Sequence, residues 1–190
     1  GIVVLADSER IRVQAADEYL GDTMLRQISD ADLIVQTKVD LVNKGAEIDV
    51  QKWIGATNPR AQILSARNGK LPPEVILGVE VVQGKPAASL HADSGYESKT
   101  FTNISRFEPV RLAQILATGE FGVLRAKGFV EDLSGDVHLV QIVGERYDVT
   151  RSTQSEELAL VCIGRLGCLK MDDISSILSS STTAKLDLVH

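Results

Sequence analysis

The sequence predicts an α/β chain, a partial parallel-sheet half-domain followed by a small α+β domain of roughly ferredoxin-like form. Three observations predict it. Short apolar runs alternate with helical patterns through about residue 84, the order that gives parallel strands joined by crossover helices. Composition then shifts near Gly84 into a stretch with Pro86, an Ala-Ser step, His91 and Gly95. Beyond it, β-branched runs and a hairpin signal share the chain with two helical segments, which suggests an antiparallel sheet with helices. The expected boundaries are 1–84, a linker at 85–98, and 99–190 with a mobile tail from about 179.

Each element has its own signal. Ile2–Ala6 is a compact buried-strand run, and Asp7-Ser8 can cap a following helix. Ala16, Leu20, Met24 and Ile28 recur every four residues with Tyr19 beside them, one apolar stripe on one helix. Ala31–Thr37 is a second buried strand, Asp49–Ala56 a short helix, and Gln62–Ser65 a third strand. Pro72-Pro73 starts a helical turn through Val75, Ile76 and Leu77. In the second part Thr100–Ile104 is β-branched, Pro109 opens a helix, and Leu133-Ser134-Gly135-Asp136 joins strands at Gly122–Glu131 and Val137–Val143. Leu158–Ile163 is another strand, and Asp172-Asp173 opens the last helix. The Ser/Thr run from Ser179 to Thr183 is expected to fray.

Composition excludes several function classes. The 190 residues are 44% hydrophobic and 24% charged, with a net charge of −6. That is a globular balance, not a disordered tail, a collagen-like chain or a coiled coil. Aromatic residues make up only 4%, too few for a base-stacking platform, and the acidic balance opposes a broad phosphate-binding surface, so no nucleic acid partner is expected. No apolar run approaches the roughly 20 residues of a membrane span, so no membrane is expected. Two cysteines make no disulfide framework, which points to the cytoplasm. Gly1 leads straight into an apolar run, and Met occurs only at 24 and 171. The expectation is a chain entered partway through.

The sharpest chemical signal is Thr37-Lys38-Val39-Asp40 at the end of the second strand. GTP-binding proteins place Asn-Lys-x-Asp, or Thr-Lys-x-Asp, there. The carboxylate accepts hydrogen bonds from guanine N1–H and the exocyclic amine, a pattern adenine does not offer, and a mismatched base leaves buried polar groups unpaired. The lysine stem lies along the ring. Ser65-Ala66 ends the next strand, where such proteins supply a backbone N–H to guanine O6, and ligands of open α/β sheets sit at strand carboxyl ends. The cofactor-binding residues expected are therefore Thr37, Lys38, Asp40, Ser65 and Ala66. No Gly-x-x-x-x-Gly-Lys-Ser/Thr phosphate loop occurs in the sequence. Phosphoryl transfer then lacks its positioning groups, no catalytic residue is assigned, and weak or no GTP binding is expected of this chain by itself.

The second part carries Gly122-Val123-Leu124-Arg125-Ala126-Lys127-Gly128-Phe129. Arg125 and Lys127 are two apart and share one strand face, a basic pair for an anion, an acidic loop or a partner domain, or a plain solvated face. Metal ligands are poor. His91 and His190 read as solvated, His138 as a core histidine, and Cys162 and Cys168 as buried or idle thiols, because Cys-x5-Cys with no second pair is not a zinc spacing.

Together these pieces resemble the C-terminal portion of the CobW-like family of P-loop GTPases, the cobalamin-synthesis and metallochaperone group. The segments that carry the resemblance are Ala31 through Val42, Asn58-Pro59-Arg60-Ala61, Ile63-Leu64-Ser65, Phe107-Glu108-Pro109, the Gly122–Phe129 run and Val161-Cys162-Ile163-Gly164-Arg165. The resemblance implies a parent that hydrolyses GTP with Mg²⁺, handles zinc or cobalt, and delivers it to a client metalloprotein or a corrinoid pathway. It implies a phosphate loop, a Cys-x-Cys-Cys metal motif and an acidic switch, none of which maps onto these residues, so no metal ligand is assigned here and no group is expected to stay stably bound. Thr37 in place of the commoner Asn should loosen loop anchoring more than base choice. The rival reading is a non-catalytic interaction module on an α/β scaffold, and a weaker one is an RNA binder using Arg125 and Lys127. A half-domain also leaves a sheet edge unpaired, which favours self-association.

Overall fold

Three apolar runs become a parallel sheet in the computed structural model. β1 (Val3–Asp7), β2 (Leu33–Thr37) and β3 (Gln62–Ser65) lie in the order β1-β2-β3, with Val35 facing Leu5 on one side and Leu64 on the other. β2 is central, and its Leu33-Ile34-Val35 run is buried, as strands covered on both faces require. The structure describes residues 1–77, 95–153 and 157–180. The chain packs as two units, residues 1–72 and 73–190.

In the first unit α1 (Ile11–Ala15), α2 (Gly21–Asp30) and α3 (Lys44–Thr57) accompany the sheet. Ile11, Ile28, Ile34, Val50 and Ile54 form its core. α3 starts where Asn43 accepts a hydrogen bond from the Ala46 amide at 2.9 Å, an ordinary N-cap. It is longer at both ends than its apolar pattern suggests.

The single helix expected through Ala16, Leu20, Met24 and Ile28 is two helices. Asp17 Oδ1 accepts the Tyr19 and Leu20 amides, each at 2.9 Å. This gives the backbone an alternative to helical bonding. Tyr19 and Leu20 are consequently exposed, and the inward stripe reduces to Met24 and Ile28. Asp7-Ser8 does not cap α1, whose N-cap position is Arg10 with no side-chain bond.

The second unit contains α4 (Pro73–Leu77), β4 (Tyr96–Phe101), α5 (Pro109–Leu116), β5 (Val123–Glu131), β6 (Val137–Val143), β7 (Arg146–Arg151), β8 (Ala159–Arg165) and α6 (Met171–Ser179). The sheet order is β4-β8-β5-β6-β7, every neighbouring pair antiparallel. β8 separates β4 from β5, so β4-α5-β5 is the split β-α-β unit expected of a ferredoxin-like arrangement. One sheet face, with Ala126, Val130, Val140, Ile142, Leu160 and Cys162, joins Leu112 and Leu116 of α5 and Ile174 and Leu178 of α6 in one core. Pro109 at the first turn and Glu108, which accepts the Arg111 amide at 2.7 Å, start α5. Gly128 sits where β5 and β8 approach so closely that a Cβ would lie 2.0 Å from the Ala159 carbonyl oxygen. Register explains that glycine, with no need of a ligand.

β4 begins at Tyr96, inside the stretch read as linker, and ends before the Ile104 expected of it. Residues 85–94 of the linker, with His91, lie outside the described residues, as does the tail from 181 with His190.

Candidate guanine-recognition site

Thr37-Lys38-Val39-Asp40 leaves the carboxyl end of β2 and is held from two sides. On the β1 side, Ser8 donates to the Thr37 carbonyl through both its amide (3.1 Å) and its hydroxyl (2.7 Å). The Thr37 hydroxyl donates back to the Ala6 carbonyl at 3.3 Å. Lys38 Nζ lies 2.7 Å from Asp7 Oδ2. Partial burial pushes the Asp7 carboxyl up, but the Lys38 hydrogen bond, the Glu9 and Arg10 amides and the Lys38 charge outweigh it and hold the group below its ordinary value. Lys38 is correspondingly raised, first by the hydrogen bond to Asp7 and then by its charge.

On the β3 side, Asp40 Oδ1 accepts the Asn68 amide at 2.7 Å. That bond is the main reason the Asp40 carboxyl lies below its usual range. Asn68 and Gly69, at φ +50° and +68°, are the centre of a tight turn closed by Lys70 N–H to Arg67 C=O at 2.9 Å, the arrangement that Asn-Gly favours. The non-glycine residues with positive φ, among those described, are Lys38 (+56°) and Asn68. Both lie on this pair of loops. A left-handed lysine costs roughly 1–2 kcal/mol, and such strain persists where surrounding contacts over-determine it.

The expected site residues divide. Thr37, Lys38 and Asp40 share one loop. Ser65 turns toward α3, where its hydroxyl donates to Glu47 Oε1 at 3.2 Å and accepts from Gln51 Nε2 at 3.0 Å. The Ala66 amide donates to the Gln36 carbonyl at 2.8 Å, extending the β2–β3 pairing. The sequence alone does not single out Asp7, Ser8, Glu47 or Asn68 for this site. Of these, only the Asn68-Gly69 dipeptide carries a local signal, that of a turn.

A carboxylate oxygen has two lone pairs. Asp40 can therefore keep the Asn68 tether and still accept from a guanine edge. Lys38, half exposed and pinned at its ammonium end by Asp7, presents its stem.

Asn58, of the Asn58-Pro59-Arg60-Ala61 segment, is a structural hub. Its Nδ2 donates to the carbonyls of Ile28 (2.8 Å), Ala31 (2.9 Å) and Ser29 (3.1 Å). Its Oδ1 accepts the Arg60 (3.2 Å) and Ala61 (3.1 Å) amides. It ties the end of α2 to the entry of β3.

Among the described residues no group of three His, Cys, Asp or Glu could hold a metal ion. Cys162 is buried, its thiol pushed up to about 12 by burial, and Cys168 is exposed. His138, expected in the core, is partly buried with Nε2 2.9 Å from Asp132 Oδ2. Among the described residues no helix is long and apolar enough to cross a membrane.

A parallel sheet presenting a braced Thr-Lys-x-Asp loop, joined to a separate α+β unit, defines the class: the nucleotide-binding domain type of P-loop GTPases with an appended domain. Residues 1–65 match the CobW/HypB/UreG nucleotide-binding domain, and residues 96–181 match the cobalamin synthesis protein cobW C-terminal domain. The chain belongs to the CobW family. Among solved structures it is similar to the Zn(II)-bound YjiA GTPase from E. coli, at 21% identity over 92% of this chain and with a TM-score of 0.37. It is similar also to a Zn(II)-bound triple mutant of the YjiA GTPase, at 21% identity over 92% of this chain, with a TM-score of 0.38. The chain spans 58% of the length of each. No curated protein matches it.

Proposed function

We propose that residues 1–84 supply guanine recognition in a metal-linked GTPase of the CobW family, and that residues 99–190 contact a client protein. The observation that supports guanine recognition is the braced loop, with a left-handed Lys38 tied to Asp7 and Asp40 tied to Asn68. Thr37, Lys38 and Asp40 hold the base: Asp40 accepts from N1–H and the exocyclic amine, and Lys38 covers the ring. Ser65 and Ala66 brace the neighbouring strand end.

No phosphate loop lies within these 190 residues, so a GTP hydrolase built on this chain takes its phosphate and Mg²⁺ groups from outside it. Zinc or cobalt is the metal we expect such a protein to handle, in delivery to a metalloprotein or in cobalamin synthesis, and the cytoplasm, which keeps Cys162 and Cys168 reduced, is where we place it. The rival, a non-catalytic interaction module, gives the braced loop no task. Saturation-transfer NMR on the chain with guanosine and adenosine at millimolar concentration separates the two. A guanosine signal that disappears on Asp40→Ala supports base recognition. Equal signals from both nucleosides, or an unchanged signal in the variant, would overturn it.

A further inference from the structure

On the sheet face of the second unit that points away from α5 and α6, Arg125 stands between Val143 and Ile163, and Lys127 between Gln141 and Val161. The floor is apolar and buried: Val161, Ile163 and Val143 are 3%, 2% and 7% exposed. With Leu77, these residues and the two cations line a recess of about 40 Å³. Both cations are half-buried. Arg125 gives one guanidinium N–H to the Ile76 carbonyl. Among the described residues no carboxylate pairs with either cation, although Arg106 and Arg151 of the same unit bind Glu131 and Asp136. Asp148, on this face, lies opposite Gln141, two strands from Lys127 and so roughly 9–10 Å away.

Half-burying a charge without a partner is costly. It is the more notable because residues 73–190 hold sixteen Asp and Glu against eleven Lys and Arg. Among the described residues these two cations have no carboxylate partner, and they stand on an apolar floor in an acidic unit.

We propose that this recess receives a carboxylate side chain of a partner polypeptide in which acidic and apolar residues alternate, as on an extended strand. The carboxylate bridges Arg125 and Lys127, and a flanking apolar side chain covers Leu77, the lining residue that is 77% exposed. Charge complementarity argues for that occupant. A nucleic-acid backbone needs a track of cations; Arg146 shares this face, opposite Val143, but the recess itself holds two cations and the unit is net acidic. The proposal rests on the client-contact reading of residues 99–190 and gives it a location and a chemistry.

The test is fluorescence anisotropy with a fluorescein-labelled Glu-Leu-Glu-Leu-Glu peptide and the full chain. Lys127→Gln should weaken binding at least about tenfold, with Lys127→Arg restoring it and Lys99→Gln, on the opposite sheet face, changing it less than about twofold. Lys127→Gln should also leave Tm unchanged or raised, because it removes an uncompensated charge. A lowered Tm would make Lys127 structural and overturn the proposal. So would tighter, Lys127-dependent binding of a uridine decanucleotide. Peptide binding that ignores Lys127 overturns the location but leaves the client reading standing, whereas no peptide binding at all counts against both.

Discussion

Replacing Asn58 with alanine removes the side chain that joins α2 to β3. Its amide nitrogen meets three carbonyls at 2.8–3.1 Å and its oxygen two amides at 3.1–3.2 Å, at 3% exposure. Each such bond is worth about 1 kcal/mol net, and a buried carbonyl left unpaired costs about 1–3 kcal/mol. Two hydrogens serve three carbonyls, so the five bonds do not add. We expect a loss of about 2–4 kcal/mol. A unit of residues 1–72 has roughly 4–11 kcal/mol to lose, at 0.05–0.15 kcal/mol per residue. Trp53 is the only tryptophan and packs against the core of that unit. Its fluorescence in a urea titration therefore reports that unit. Asn58→Asp should cost at least as much as Asn58→Ala, because it keeps the acceptor but sets a carboxylate against three carbonyls. A shift below about 0.5 kcal/mol, the scale of surface substitutions, would refute the role given to Asn58.

Two further predictions concern the loop and the sheet edge. Asp40 is held below its ordinary pKa by the Asn68 amide. The tether is therefore fully present above the unfolded carboxyl value, about 3.9, and is lost as pH falls through the lower folded value. Protection of the Asn68 amide from hydrogen exchange, corrected for intrinsic rate, should be flat from pH 8 to 5 and collapse only below about pH 4; a collapse near pH 6 would contradict this. Among the described residues β1 is an edge strand, with Leu5 exposed at 64% and Ile2, just before it, at 42%, a template for self-association. Leu5→Lys should shift sedimentation toward monomer, and a wild-type chain that is monomeric throughout would remove the reason for the change.

Local pattern makes much of the fold legible. The β2 and β3 runs and the Leu133–Asp136 hairpin follow from apolar runs and turn chemistry. β7 does not: in Arg146-Tyr147-Asp148-Val149-Thr150-Arg151 only Val149 is even half-buried, so an edge strand offers almost no alternation to read. The break between α1 and α2 depends on one carboxylate choosing backbone amides, which competes with a good helical period. The site divides in the same way. Thr-Lys-x-Asp is a local signal, so Thr37, Lys38 and Asp40 are visible in the sequence. Asp7 and Ser8 act on Lys38 and Thr37 across about thirty residues through parallel pairing, and no spacing rule encodes that. Ser65 and Ala66 do end the neighbouring strand, but their donors serve Glu47 and Gln36.

The central claim is that Asp40 reads the donor edge of guanine. Asp40→Asn replaces two acceptors with one acceptor and one donor, and xanthine replaces the exocyclic amine of guanine with a carbonyl. Saturation-transfer NMR with guanosine and xanthosine on the wild-type and Asp40→Asn chains measures this directly. Preference should reverse, from guanosine in the wild type to xanthosine in the variant. Loss of both signals, or retained guanosine preference in the variant, would contradict the claim.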